Sequence, residues 1–330
     1  MREVLFIKQN KEKWLQFEQS LNERGDRNPD ELANSYIQLL NDLSYAQTYY
    51  PKSKTTDYLN FLVSQIYRKI YKTRRMERNR LVYFFREEVP LIAYQYRKQV
   101  LFAFALFLFF TLIGAVSAKY DQTFVRIILG DHYVDMTLEN IKKGDPMAVY
   151  KSGGELESFI GITMNNVYVA AKAYLFGITA GILTFYVAFN NGVMLGSFQY
   201  FFYEYGVLGA SVRAIWLHGA MEIFSIVIAT AAGFILASSI LFPKTFSRKN
   251  SFKIGVIDSA KLFLSLVPFF IVAGFIEGFV TRLSNTMPLS LNVLIISGTL
   301  AFISFYFLIY PVMVHRKVGG RKPDSYRVEV

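Results

Sequence analysis

Hydrophobic positions along this chain follow two different patterns, which meet near residue 100. Before that point apolar residues recur every three or four positions among charged ones, a spacing that predicts amphipathic helices. After it they form long uncharged runs, and a membrane-spanning helix needs roughly 20 such residues. The pattern predicts an all-α protein with a soluble N-terminal helical domain followed by a polytopic bundle of membrane helices.

Three amphipathic helices are predicted in the N-terminal domain. Asn28-Pro29-Asp30 is a start signal for the second helix, and residues 49–54 form a turn before the third. The three apolar stripes consist of Trp14, Phe17 and Leu21; of Leu32, Tyr36, Leu39, Leu40 and Leu43; and of Tyr58, Leu62, Ile66 and Ile70. We therefore expect a small antiparallel bundle within a basic cytoplasmic domain at 1–98.

Six hydrophobic runs follow in a transmembrane domain at 99–314. They are residues 100–118, 167–189, 192–208, 214–241, 260–279 and 291–310. The third run holds Gln199 and Glu204 and is interrupted by glycine, so we expect a short or broken helix there. Asn165-Asn166 and Asn190-Asn191 border the second run as helix caps, and Asn191-Gly192 is a tight-turn signal. The count is about six membrane helices.

Basic residues set the predicted orientation, because loops rich in lysine and arginine stay in the cytoplasm. Such residues fill the loop at 244–253 and the tail at 315–330. Both termini are therefore predicted to be cytoplasmic, and the segment at about 119–166 to be extracytoplasmic with interfacial helices. The N-terminus lacks the apolar core of a cleavable export signal. We expect a multi-pass protein of the cytoplasmic (inner) membrane.

The net charge of +11 is concentrated partly in a basic run ahead of the first membrane helix. This run includes Arg68, Lys69, Lys72, Arg74, Arg75 and Arg78. Since it borders a membrane segment and no nucleic-acid-binding motif accompanies it, we expect contact with anionic lipid headgroups and no nucleic acid. The chain has no cysteine, which excludes disulfides and thiolate metal sites.

Ionisable residues within the hydrophobic runs are the strongest functional signal, because they are expensive in hydrocarbon unless they face protein, water or a ligand. His218 and Glu222 are four residues apart and share a helix face, and Glu277 lies near the outer end of the next helix. If these helices are neighbours, the three side chains converge, with Arg213 and Arg282 at the rim. They form a candidate ion- or substrate-binding site.

Four interpretations of this site stay open. It can serve as a proton or cation relay, as an anionic-headgroup site completed by the arginines, or as a metal site, the interpretation with the least support. In a purely structural role, His218 and Glu222 bond each other or the backbone, and Glu277 pairs with Arg282. The soluble part shows no catalytic triad or phosphate-binding loop, and His218-x3-Glu222 is not the His-Glu-x-x-His metalloprotease pattern. We predict no catalytic residues, no metal and no cofactor.

Small residues spaced four apart predict close helix packing. The glycines in these steps are Gly177, Gly181, Gly192, Gly196, Gly233, Gly274 and Gly278. In a protein with many helices such steps usually serve packing within one chain. They also suit a homo-oligomer, so the oligomeric state stays open.

Short motifs in both halves carry a resemblance that covers nearly the whole chain. They are FIKQNKEKW (6–14), DLSYA (42–46), YLN (58–60), NNVYVA (165–170), NGVMLG (191–196), HGAMEI (218–223) and FIEGFVT (275–281). With them the chain resembles the stage II sporulation protein M family of membrane proteins. The family's namesake recruits peptidoglycan-degrading enzymes to the septum of endospore formers, so the resemblance implies a cell-envelope function. The large basic N-terminal domain departs from that shorter namesake.

Three functions are consistent with these observations. The first is a non-enzymatic scaffold or assembly partner of a cell-envelope complex, with protein partners for the N-terminal domain and the outer segment. The second is an ion-coupled or lipid-handling transporter that uses the outer-leaflet site of His218, Glu222 and Glu277. An intramembrane metalloenzyme is the third.

Overall fold

The computed structural model describes residues 3–22, 29–73, 79–151, 154–320 and 323–327, and every regular element in these ranges is a helix. The chain divides into two compact units, Met1–Arg80 and Leu81–Val330. This division precedes the domain boundary expected after residue 98. The reason is that the short helices just before the first hydrophobic run pack against helices of the second unit.

Fifteen α-helices lie in the described residues. They are α1 (Glu3–Asn22), α2 (Pro29–Tyr49), α3 (Lys54–Thr73), α4 (Arg80–Tyr83), α5 (Val89–Gln95), α6 (Arg97–Tyr120), α7 (Gln122–Leu129), α8 (Asp131–Lys142), α9 (Glu155–Leu175), α10 (Ile182–Glu204), α11 (Leu208–Leu241), α12 (Arg248–Leu264), α13 (Val267–Phe275), α14 (Leu289–Ser304) and α15 (Tyr310–Lys317). Three π-helical turns, at Phe84–Glu88, Ile276–Val280 and Phe305–Ile309, interrupt the longer helical segments.

The first unit contains α1, α2 and α3 around a core of its own. The core side chains are Phe6, Trp14, Leu39, Leu43, Ala46, Leu59, Leu62, Val63 and Ile66. The Trp14 indole Nε1 donates a hydrogen bond to Asp42 Oδ2 at 2.9 Å, which joins α1 to α2. The Tyr58 hydroxyl donates to Glu18 Oε2 at 2.7 Å, which joins α3 to α1. The amphipathic stripes therefore meet in a three-helix core.

Four helical segments of the second unit are long and apolar enough to cross a membrane. They are Arg97–Tyr120, Leu208–Leu241, Arg248–Leu283 and Leu289–Lys317. The second of these, α11, packs against α6, α9, α10, α12, α13 and α14. In its most apolar stretch 78% of the residues are buried, against 11 to 39% in the other three segments. Helix α11 is thus the centre of the second unit.

The turn between α9 and α10 lies where the sequence pattern predicted an unbroken helix. A 3₁₀ turn at Phe176–Thr179 ends the first helix, and Ala180 and Gly181 then adopt left-handed backbone angles, with φ of 55° and 85°. Glycine takes this conformation without strain, whereas alanine pays about 1 kcal/mol for it. The prediction of one helix over 167–189 is therefore wrong.

Helix α10 continues without a break through the predicted turn at Asn191-Gly192. The Asn191 side chain donates to the carbonyl oxygen of Val187 at 2.8 Å, one turn back in the same helix. Gly192 and Gly196 face α6, and a Cβ at Gly196 would overlap the carbonyl oxygen of Thr111. Packing against α6 thus overrides the local turn signal, and the expected break after residue 190 is absent from α10.

The predicted outer segment at 119–166 is only partly a connection. It contains the short helices α7 and α8, joined where Arg126 pairs with Asp131 and Asp135 at 3.1 and 2.8 Å. These two carboxylates raise the pKa of the Arg126 guanidinium by accepting its hydrogen bonds. From Glu155 onward the chain already belongs to α9, so the connection is shorter than the sequence pattern indicated.

Candidate functional site

His218, Glu222 and Glu277 come from two separate helical segments and lie together inside the second unit. His218 and Glu222 share one face of α11 because they are four residues apart. Glu277 lies in the π-helical turn Ile276–Val280, directly after α13. One potential ligand atom from each of the three residues lies within 4.8 Å of the other two. We call this group the histidine site.

The histidine site is enclosed by protein. The side chain of His218 is 4% exposed and that of Glu277 is 12% exposed. Charged side chains near the end of a membrane helix can extend to the water interface, which lowers their cost. Side chains enclosed in the middle of packed helices cannot do so, and they persist only with partners or ligands. The partners of these three residues therefore decide what the site can do.

The hydrogen bonds of Thr281 fix the orientation of the imidazole. The Thr281 hydroxyl donates to the carbonyl oxygen of Ile276 at 3.3 Å, and His218 Nδ1 lies 3.1 Å from the same hydroxyl oxygen. In the neutral tautomer whose Nδ1–H donates to Thr281, the lone pair of the ring lies on Nε2. This Nε2 lies 3.5 Å from Glu277 Oε2. In that tautomer a lone pair and a carboxylate oxygen face each other.

Two pairs of glycines bring α9 against the helices that carry the site. Gly177, just after α9, approaches the backbone of Gly233 in α11. Gly274 in α13 and Gly278 in the π-helical turn face α9, and a Cβ at Gly274 would overlap the Thr163 hydroxyl. Since neither contact leaves room for a side chain, these positions hold α9 close to both α11 and α13.

Helix α9 is the third helical segment that contributes to the histidine site, through the side chain of Asn166. Its side-chain Nδ2 donates to Glu222 Oε1 at 2.6 Å. The sequence pattern placed Asn165-Asn166 at a helix end, but Asn166 lies well inside α9. Sequence reasoning missed both Asn166 and Thr281 as site residues, although both lie in motifs, NNVYVA and FIEGFVT, that carry the family resemblance.

Arg213 and Arg282 bind main-chain and hydroxyl oxygens near the end of α13. Arg213 donates to the carbonyl oxygens of Ser284 and Met287, both at 3.1 Å. Arg282 donates to the carbonyl oxygen of Gly278 at 2.9 Å and to Ser158 Oγ at 3.3 Å. The Glu277 carboxylate lies beside His218 Nε2 and does not form the pair with Arg282 that was considered from the sequence.

A stripe of polar residues on α11 extends the histidine site along the helix. Ser211, His218, Glu222 and Ser225 follow the spacing i, i+7, i+11 and i+14, which keeps them on one face. Both serines are fully buried, and within the described residues their hydroxyls have no hydrogen-bond partner. Buried polar atoms are nearly always paired, so these hydroxyls indicate a polar environment along this face.

The arrangement suits a cation. Two carboxylates placed this close together repel each other in a medium of low dielectric constant, and a shared proton or a bound cation relieves that cost. The imidazole lone pair adds a nitrogen ligand to the carboxylate oxygens. The three side chains can therefore hold a proton or a metal ion, and Asn166 and Thr281 orient them.

A second polar cluster lies elsewhere in the same unit and was not anticipated from the sequence. Lys261 of α12 forms an ion pair with Glu88, at the end of the π-helical turn Phe84–Glu88. The Tyr96 hydroxyl donates to Asp258 Oδ2 at 3.0 Å, and Asp258 is fully buried. We call these four residues the lysine cluster.

The side chains predicted to contact lipid headgroups lie outside the described part of the structure. Arg68, Lys69 and Lys72 lie in the last turns of α3, where the backbone is described and the side chains are not. Arg74, Arg75 and Arg78 lie outside the described residues. Lipid contact at these positions stays a prediction.

Comparison with known proteins identifies each unit separately. The model of a domain of unknown function (DUF8413) matches residues 4–72, within the first unit. No curated protein matches the chain, and no solved structure does. The family model described as stage II sporulation protein M matches residues 103–282, which include His218, Glu222, Glu277, Asn166 and Thr281. The resemblance noted in the sequence is thus confirmed over residues 103–282, and the chain belongs to the stage II sporulation protein M family of membrane proteins.

Proposed function

We propose that the second unit crosses the cytoplasmic membrane six times. The four long apolar segments supply four crossings, and α9 and α10 supply two more through the turn at Ala180 and Gly181. Lysines and arginines between α11 and α12 and at the end of α15 favour cytoplasmic ends at those positions. Both termini then lie in the cytoplasm, and α7 and α8 lie on the opposite side.

The function that this geometry supports best is ion-coupled transport, in which a cation binds at the histidine site and changes how α9, α11 and α13 pack. The observation that carries this proposal is the convergence of His218, Glu222 and Glu277 within 4.8 Å inside an apolar bundle. Because the site draws on three separate helices, a cation bound there links their positions. The transported substrate, an ion or a lipid, stays open.

Flux measurements in proteoliposomes test this proposal. We expect purified full-length protein to increase proton or cation flux over that of protein-free vesicles, and Glu222→Gln to abolish the increase. Glu139→Gln is the matched control, because Glu139 lies on α8 and its side chain is 71% exposed. Flux equal to that of protein-free vesicles for protons, monovalent and divalent cations would reject ion transport.

A scaffold function is the second candidate, and the first unit favours it. This unit has its own core, matches a separate family model, and exposes large apolar side chains such as Ile37 and Phe61 at 55 and 51%. A contiguous patch formed by such side chains would favour a protein partner. Cross-linking in native membranes tests the scaffold function. We expect the wild-type chain to be cross-linked to protein partners, and the Ile37→Lys and Phe61→Lys variants to lose them. Recovery of the same cross-linked proteins from both variants would contradict a partner at these side chains.

A further inference from the structure

We propose that the histidine site binds a divalent transition-metal ion of the zinc type, with His218 Nε2 and one oxygen each from Glu222 and Glu277 as ligands. This inference rests on the proposed cation site and names the class of cation. It depends on the donor set, on the distances between the donors and on the residues that orient them.

The donor set discriminates between classes of cation. Calcium, magnesium and other hard cations take oxygen ligands, whereas imidazole nitrogen suits zinc, iron, nickel and copper. In the tautomer whose Nδ1–H donates to Thr281, His218 Nε2 carries the lone pair that binds a metal. Two carboxylates carry two negative charges, which a divalent ion balances in full and a single proton only in half. An imidazole with two carboxylates is therefore a set for a divalent transition metal.

The distances fit tetrahedral coordination. Zinc lies about 2.0–2.2 Å from nitrogen and oxygen ligands, so two ligands of one tetrahedral ion are about 3.4 Å apart. His218 Nε2 and Glu277 Oε2 are 3.5 Å apart. All three ligand atoms lie within 4.8 Å of one another, so the third oxygen needs to move by about 1.4 Å or less to reach the 3.4 Å separation.

The surrounding residues orient the ligands as partners do around protein-bound metals. A metal-binding histidine almost always donates its other ring N–H to an acceptor, and a metal-binding carboxylate is itself hydrogen-bonded. Thr281 and Asn166 supply these two bonds, at 3.1 and 2.6 Å. Ser225 lies one turn beyond Glu222 on the same face, fully buried, and its hydroxyl has no partner within the described part of the chain.

Three protein ligands leave one tetrahedral position open. Closed structural zinc sites use four protein ligands, and sites with three bind water or another small ligand at the fourth. Ser225 is the next polar residue after Glu222 on this face of α11. The proposed site is thus able to exchange a ligand.

Metal content and cobalt spectroscopy of the purified full-length protein test this inference. We expect about one zinc ion per chain after incubation with zinc and gel filtration. Cobalt in its place should give the intense visible absorption of tetrahedral Co²⁺. His218→Gln and Glu222→Gln should each lose the ion, whereas Glu139→Gln should keep it. Thr281→Val should bind zinc about 10- to 100-fold more weakly, because the ring is no longer held.

Two results would overturn the inference. One is wild-type protein that retains no stoichiometric ion and shows no tetrahedral cobalt spectrum, a result that does not depend on whether any variant folds. The other is full retention of the ion by His218→Gln. If the wild type binds no metal and Glu222→Gln still abolishes proton flux, the metal is rejected and transport stands. Metal binding without any flux rejects transport and supports the metal site.

Discussion

The second unit encloses carboxyl groups in two polar clusters that are balanced in different ways. The lysine cluster contains a permanent cation, Lys261, which pairs with Glu88 close to the buried Asp258. The histidine site contains two carboxyl groups, and the basic group among its residues is the imidazole of His218. A buried charge without a partner is costly. The lysine cluster carries its own cation, whereas in our proposal the histidine site takes a bound one.

The two clusters share one backbone feature, a π-helical turn that carries a glutamate. Each places a glutamate in a π-helical turn, Glu88 in Phe84–Glu88 and Glu277 in Ile276–Val280. Two tyrosines that follow α14 in the chain stabilise the first turn. The hydroxyls of Tyr306 and Tyr310 donate hydrogen bonds to backbone carbonyl oxygens of that turn. A glutamate in a π-helical turn is therefore not by itself the sign of a ligand site, because Glu88 has Lys261 as its partner.

Removal of the lysine gives the largest expected effect. Lys261→Met removes the cation from the partly buried Glu88 and the fully buried Asp258, and breaking a fully buried ion pair typically costs about 3–5 kcal/mol, an upper value for this pair. The midpoint of thermal unfolding in detergent, followed by fluorescence, should fall sharply, while the metal content stays unchanged. Lys143→Met is the control, because the Lys143 side chain is 70% exposed. Equal midpoints for the two variants would remove the contrast between the clusters.

Zinc should stabilise the wild type and leave Glu222→Gln unaffected. At a concentration 100 times the Kd, a ligand that binds only the folded state adds about 2.7 kcal/mol. Without metal, Glu222→Gln should unfold no earlier than the wild type, since it removes one of two like charges. The thermal midpoint with and without zinc measures both effects. An equal rise in both proteins would show that zinc acts elsewhere.

A smaller effect is expected from Tyr96→Phe in the lysine cluster. It removes the donor to Asp258 Oδ2, and a hydrogen bond to a charged group contributes about 1.5 kcal/mol or more. The loss should stay below that of Lys261→Met, because the lysine remains nearby. Tyr168→Phe, at a side chain exposed to 59%, provides the control for loss of a tyrosine hydroxyl. A loss as large as that of Lys261→Met would make Tyr96 the main partner of the cluster.

The first unit offers a tyrosine–carboxylate bond that responds to pH. Burial, with the hydrogen bond to Glu18, raises the pKa of Tyr58 to about 12, above the unfolded value near 10. The stabilisation is therefore complete below pH 10 and is lost as the pH rises from about 10 to 12. Fluorescence of Trp14 in a Trp216→Phe chain measures the unfolding of this unit. The same loss of stability in Tyr58→Phe would exclude Tyr58 as its cause.

Local patterns in the sequence predicted the helical class and the residues that converge. The spacing of His218 and Glu222 fixes their common helix face, and the cost of charge in a hydrophobic run singles out Glu277. Sequence motifs also indicated the family. These inferences needed only helix geometry and polarity, which are properties of neighbouring residues.

Features that depend on distant partners could not be predicted in this way. Lys261 and Asp258 looked like the polar border of a hydrophobic run, because Glu88 lies 173 residues from Lys261 in the chain. Packing against α6 keeps Asn191-Gly192 helical despite the turn signal there. The observed turn includes Ala180, although alanine disfavours left-handed backbone angles. Local propensity is weak where helix packing decides the backbone.

Because of the π-helical turn at Ile276–Val280, the histidine site is sensitive to the deletion of a residue as well as to substitutions. A π-turn closes its hydrogen bond over one residue more than an α-turn. Deletion of one codon there would restore a regular α-helix and rotate everything beyond it by about 100° relative to α13. Glu277 and Thr281 would then no longer both lie next to the ring nitrogens of His218. Among relatives, the presence or absence of that single residue is expected to separate chains that kept the site from chains that lost it.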